Sequence, residues 1–218
     1  MARLIGIFGG TFDPVHYGHL RPALDVMNAL KLSEVRFIPN AEPPHREAPW
    51  LSVEQRKQLL NLALQEQSGF VLDERELNRS GKSFMVDTLL SLRNEFPKSH
   101  LCLILGMDAM AGIRQWHQWK KILGLCHIVV TQRPGHEWKS LINKEEFGPF
   151  LSDNIEDLKR EAAGRILLQS VTQVDLSASK IRQQLKNGQD IRQLMPEKAH
   201  QLLMQMIQRN DIEAVNDN

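Results

Sequence analysis

An apolar run, Leu4-Ile5-Gly6-Ile7-Phe8, stops at Gly9-Gly10-Thr11-Phe12 and is followed by an amphipathic stretch from Leu20 to Leu32. A buried strand, a glycine turn and a helix, in that order, open a βαβ unit. The chain then has to return and lay a second strand parallel to the first. The alternation continues. Strand-like runs fall at Leu4–Phe8, Val35–Pro39, Phe70–Leu72, Leu101–Leu105, His127–Thr131 and Ile166–Leu168. Helical patterns fall at Leu20–Leu32, Val53–Glu66, Met85–Glu95, Trp119–Leu123, Ser177–Leu185 and Pro196–Gln208. Continuously apolar strands separated by helices belong to a parallel sheet covered on both faces. The expected fold is α/β, a Rossmann-like doubly wound parallel sheet with a small helical C-terminal part over 177–209.

With 218 residues, the chain is long enough to bury a full core, and one domain over 1–218 is expected. Residues 135–164 are polar and contain the breaker Phe147-Gly148-Pro149, yet Leu141, Ile142, Phe147, Phe150, Leu151, Ile155 and Leu158 still need burial. They are expected to form an exposed helical insertion or sub-domain. A formal charge of +1 argues against nucleic acid as a partner held by bulk charge. No stretch approaches the roughly 20 apolar residues of a membrane span, and no secretory leader is expected from the first residues. Cys102 and Cys126 lie in apolar runs and are too few for a disulfide framework or a cysteine zinc site. The expectation is a cytoplasmic protein without a membrane partner, a monomer or a small homo-oligomer.

Four chemistry-bearing segments each follow a candidate strand: Gly9–His19, Asn40–Arg46, Gly106–Trp119 and Gln132–Gly135. In a parallel sheet they meet at the carboxyl edge, where ligands of such folds bind. Glycines 9 and 10 let the backbone approach a ligand closely. The helix that follows offers free N–H groups and the positive end of its dipole, a seat for phosphate. His16 and His19, spaced i, i+3, share one helical face. An HxxH pair alone supplies two metal ligands, and no nearby carboxylate or cysteine completes a set, so no metal site is expected there. Two imidazole donors beside a glycine turn suit the charge that develops in phosphoryl or nucleotidyl transfer.

GGTFDPVHYGHL resembles the signature of the HxGH nucleotidyltransferases, with the motif standing as His16-Tyr17-Gly18-His19. Leu176-Ser177-Ala178-Ser179-Lys180-Ile181-Arg182 is similar to that family's second signature. Between them lie Ile38-Pro39-Asn40, Pro43-Pro44-His45-Arg46, Asp73-Glu74-Arg75-Glu76-Leu77, Gly106-Met107-Asp108, Trp116-His117 and Gln132-Arg133-Pro134-Gly135. This order resembles bacterial nicotinate-nucleotide adenylyltransferases over nearly the whole chain. The resemblance implies a nucleotidyltransferase-type sheet and the reaction of ATP with nicotinate mononucleotide to give deamido-NAD and pyrophosphate. It also implies Mg²⁺ bound with ATP.

Carried onto this chain, the resemblance makes His16, His19 and Arg182 the catalytic residues. Gly9, Gly10, Thr11, Phe12, His45, Arg46, Gly106, Asp108, Arg133, Ser177 and Ser179 become contacts for ATP and phosphate. Ser83, Phe84, Met85, Val86, Trp116 and His117 become the nicotinate pocket. Ser83 reads as the N-cap of the helix at Met85, leaving the N–H groups of Phe84, Met85 and Val86 free for a carboxylate. Glu76, Arg79 and Lys82 read as a solvated loop. The chain departs from the family at Phe84-Met85, where Tyr-Thr is usual, so a threonine hydroxyl is missing from the ring pocket. Adenylyl transfer to nicotinamide mononucleotide or phosphopantetheine, and a non-catalytic nucleotide-binding module, stand as alternatives.

Overall fold

The computed structural model describes residues 3–41, 48–132, 144–172 and 174–212. The first apolar run becomes β1 (Leu4–Gly10), and the amphipathic stretch becomes α1 (Tyr17–Leu30). There follow β2 (Glu34–Pro39), α2 (Val53–Leu64), β3 (Phe70–Leu72), α3 (Met85–Glu95), β4 (His100–Gly106), α4 (Met107–Ala111) and α5 (Trp119–Leu125). The remainder comprises β5 (His127–Gln132), α6 (Lys144–Phe147), β6 (Leu151–Ser152), α7 (Ile155–Arg160), β7 (Ile166–Ser170), α8 (Ala178–Lys186) and α9 (Glu197–Gln208).

The seven strands form one sheet in the order β3-β2-β1-β4-β5-β7-β6, and every pairing is parallel. The strand runs are apolar on both faces because both faces are covered. Along β4, Cys102 and Ile104 enter one core with residues of α1, α2, α8 and α9. Leu101, Leu103 and Leu105 enter the other with residues of α3 and α5. The chain steps outward from β1 to β2 and β3, then from β4 to β5, so the winding reverses between β1 and β4. That reversal opens a crevice at the carboxyl ends of the two central strands.

Local chemistry sets the helix starts. Ser52 caps α2 in a reciprocal box: its Oγ accepts from Gln55 N–H at 3.3 Å, and Gln55 Oε1 accepts from Ser52 N–H at 2.8 Å. Of residues 135–164, expected as an exposed helical insertion or sub-domain, the structure describes 144–164. Phe147 and Leu158, two of the residues expected to need burial there, lie in the cores at 4% and 0% exposure, and β6 adds to the sheet edge. Leu141 and Ile142 lie outside the described residues. Among the described residues, no helix is long and apolar enough to cross a membrane.

Candidate active site

The turn after β1 is held in an unusual shape. Phe12 sits at φ 52°, a left-handed conformation that costs a residue with a Cβ roughly 1–3 kcal/mol. Its ring is not at the surface. It is 1% exposed and packs edge-on to Phe8 and His19, at centroid distances of 6.0 and 5.1 Å. Anything Phe12 offers a ligand must therefore come from its backbone. Asp13, also buried, accepts from the N–H groups of Trp50 and Leu51 at 2.8 and 2.9 Å. The start of α2 is thereby tied to this turn.

The two histidines meet as a stacked pair, with centroids 3.8 Å apart and planes inclined by 30°. His16 is not inside the helix. It is the extended N-cap residue of α1 (φ −155°, ψ 169°), and His19, three residues on, folds back beneath it. His19 Nδ1 accepts from His16 N–H at 3.3 Å. In the neutral ring this puts the proton on Nε2, leaving that nitrogen as a donor. Burial away from water holds the His16 pKa down at about 4 and pulls His19 well below its ordinary value, with the neighbouring His16 adding to the shift. Both rings are thus neutral at pH 7 and act as hydrogen-bond donors rather than full charges.

Gly18 makes the stack possible. A Cβ there would lie 2.7 Å from His16 Cε1 and Nδ1 and 3.1 Å from the Leu176 carbonyl oxygen. Leu176 leads directly into α8, so the starts of α1 and α8 stand side by side. At α8, Ser177 is the N-cap; its Oγ accepts from Lys180 N–H at 3.2 Å and lies 3.0 Å from Ser179 Oγ. Arg182, one turn in, donates from Nη1 to the Asp13 carbonyl at 2.6 Å. Three buried polar atoms around this region, His16 Nδ1, Asn40 Oδ1 and Arg56 Nε, lack partners among the described residues.

The pairing of low histidine pKa values with burial has a stability consequence. In the unfolded chain the imidazoles titrate near 6.5. Below that pH the unfolded state takes up protons that folded His16 refuses until about pH 4. The stabilisation is therefore complete above pH 6.5 and is lost as pH falls toward 4. His16→Asn, which cannot titrate, should show a smaller drop in denaturation midpoint between pH 7.5 and pH 5 than the unaltered protein. An equal drop would remove His16 from the acid sensitivity.

The predicted ring pocket lies against the same turn. A Cβ on Gly9 would meet Met85 Cε at 2.7 Å, which places the methionine directly over the end of β1. Phe84 stacks on His117 at 4.5 Å, and Trp116 is half-buried against the core beneath. Ser83 is not the helix cap. Phe84 occupies that position with no side-chain cap, and the N–H groups of Met85 and Val86 have no partner among the described residues. The Ser83 hydroxyl is engaged elsewhere: it accepts from Ala41 N–H at 3.2 Å. Glu76 is not in a solvated loop either. It is 4% exposed, accepts from Thr88 Oγ at 2.6 Å, and burial raises its pKa.

At the far lip of the crevice, Gly106 ends β4 and begins α4, and a Cβ there would meet nothing within 4 Å. The space above it is open, and Asp108 is exposed beside it. His45, Arg46 and Arg133 lie outside the described residues. Among the described residues, no three His, Cys, Asp or Glu side chains group as a metal site. Asp13, Asn40, Arg56 and Glu76 were not singled out as site residues from sequence. Asp13, Asn40 and Glu76 do fall inside stretches that carry the resemblance, GGTFDP, Ile38-Pro39-Asn40 and Asp73–Leu77, whereas Arg56 carries no signal.

Residues 7–184 match the family described as cytidylyltransferase-like. A protein of Aeromonas hydrophila subsp. hydrophila named "Probable nicotinate-nucleotide adenylyltransferase" is 44% identical over 207 residues, covering 92% of this chain and 94% of its own. One of the same name from Hydrogenovibrio crunogenus is 47% identical over 195 residues, covering 89% and 92%. The chain belongs to the nicotinate-nucleotide adenylyltransferase family. The fold agrees: a Plasmodium falciparum nicotinic acid mononucleotide adenylyltransferase complexed with NaAD superimposes with a TM-score of 0.68, covering 95% of this chain and 96% of that one. Only 16% of residues are identical in that superposition, so it speaks for the fold alone.

Proposed function

We infer that this protein transfers the adenylyl group of ATP to nicotinate mononucleotide, a step of NAD biosynthesis. An oxygen of the mononucleotide phosphate attacks the α-phosphorus of ATP. The bond from that phosphorus to the β-phosphate oxygen breaks, and pyrophosphate leaves with the electron pair; the products are nicotinate adenine dinucleotide and pyrophosphate. The observation that carries the reading is the neutral, stacked His16–His19 pair at the start of α1, beside the start of α8. Such a transfer needs little covalent help from the protein. Position and charge stabilisation supply the rate.

In this scheme the backbone of Gly9, Gly10, Thr11 and Phe12 lines the phosphates, and His16 and His19 donate to the oxygens that gain charge. Ser177, Ser179 and the guanidinium of Arg182 face the outer phosphates from α8. Arg182 uses one Nη on the Asp13 carbonyl, which aims the rest of its fork. Gly106 and Asp108 line the adenosine. His45, Arg46 and Arg133 keep the phosphate roles that their sequence positions suggest. Mg²⁺ accompanies the polyphosphate and is held by phosphate oxygens and water, in keeping with its reluctance to dehydrate.

The nicotinate ring lies among Phe84, Met85, Trp116 and His117. Its carboxylate is received by the free N–H groups of Met85 and Val86 at the start of α3, where the helix dipole favours negative charge. Ser83, whose hydroxyl holds the Ala41 N–H, seats that helix start instead of touching the ring. A carboxamide brings no charge to this site. The expected result is a kcat/KM for nicotinate mononucleotide at least roughly tenfold above that for nicotinamide mononucleotide. Equal values would sink the carboxylate argument while leaving adenylyl transfer intact.

A further inference from the structure

Arg56 lies in α2 and is 1% exposed, yet it forms no ion pair among the described residues; its hydrogen bonds end on backbone carbonyls. Nη1 donates to Thr11 O and to Asn40 O, both at 2.9 Å, and Nη2 reaches Ala41 O at 3.5 Å. Burying a guanidinium this way is costly, and an apolar side chain of similar volume would fill the space more cheaply. The bonds themselves show what the arginine supplies. In a trans peptide the carbonyl and the following N–H point in opposite directions. With Thr11 O turned inward to Arg56, the N–H of Phe12 is turned away from it, and that N–H has no partner among the described residues.

We propose that Arg56 is a positioning residue whose guanidinium locks the turn after β1 so that its N–H groups face the phosphates. The proposal rests on that turn being the phosphate seat. Phe12, at φ 52°, is strained, and such strain persists only where neighbours over-determine it. Here one arginine acts on each side: Arg56 on the carbonyl of Thr11, and Arg182 on the carbonyl of Asp13. The same guanidinium governs the turn after β2. Asn40 O faces Arg56, and the N–H of Ala41 reaches Ser83 Oγ at 3.2 Å, next to the start of α3. One buried fork thus sets the phosphate turn and the edge of the ring pocket together. A lysine keeps the charge but has no planar fork to span the carbonyls.

The test uses Arg56→Lys and Arg56→Gln, each checked for cooperative thermal unfolding, with calorimetric binding of ATP (with Mg²⁺) and of adenosine. Arg56→Lys, which preserves length and charge, is the variant that decides if Arg56→Gln does not fold. The expected result is ATP affinity weakened roughly tenfold or more, with adenosine affinity within about twofold of the unaltered protein. ATP affinity unchanged in a folded variant, or ATP and adenosine weakened by the same factor, would overturn the proposal. Binding is read without turnover, so this test is separate from that of adenylyl transfer, which is pyrophosphate release by the unaltered protein.

Discussion

Replacing His19 with alanine should lower kcat by about 10²–10³-fold, the usual cost of removing one preorganised donor from a site of developing charge. The geometry explains why the loss should be that large. His19 is fixed on three sides: His16 stacks on it at 3.8 Å, Phe12 meets it edge-on at 5.1 Å, and its Nδ1 is tied to His16 N–H. Its Nε2–H is therefore aimed before substrate arrives, and no reorganisation is needed in the transition state. Because the ring is neutral at working pH, the unaltered protein should keep its kcat from pH 7 to 9. A required imidazolium would instead lose activity across that range. Steady-state kinetics on a folded His19→Ala protein checks this. A kcat within about threefold of the unaltered protein would remove His19 from the mechanism.

The second large effect is expected from a single methyl group. Gly18→Ala should cost about 10²-fold in kcat and about 1–3 kcal/mol in stability. In an ordinary exposed helix the same change would be favourable by about 1 kcal/mol, so the expected sign runs against helix propensity. The added Cβ would stand 2.7 Å from the His16 ring and 3.1 Å from the Leu176 carbonyl. Neither can yield cheaply. The His16 ring is backed by His19, and Leu176 is backbone leading into α8, so relief must come from parting the two helix starts. Denaturation midpoints and kcat, measured side by side, read both parts. A fully active, more stable Gly18→Ala protein would show that the two helix starts are not held together through this glycine.

Much of this was legible because it was local. The strand runs needed no partner to be recognised, since apolar residues on both faces of Leu101–Leu105 already require two covering layers. The turn after β1 was legible because Gly9 to His19 is one contiguous segment. What the chain assembles from afar was less so. Ser83 looks like a helix cap from its position, but its hydroxyl accepts from the N–H of Ala41, 42 residues away. Phe84 and His117 stack although 33 positions separate them; the family resemblance put both in one pocket, but no periodicity shows that the rings touch. Arg56 sits in an amphipathic helix where an arginine ordinarily faces water. Its burial follows only from the meeting of three carbonyls at the sheet edge. The two residues of β6 are too few to carry any periodicity.

The most direct test of the account is a product analysis with ATP, Mg²⁺ and nicotinate mononucleotide, following dinucleotide and pyrophosphate together by chromatography. The account predicts that nicotinate adenine dinucleotide and pyrophosphate appear in equal amounts and that neither appears without the mononucleotide. ATP bound without pyrophosphate release, or pyrophosphate released without any dinucleotide, would contradict it.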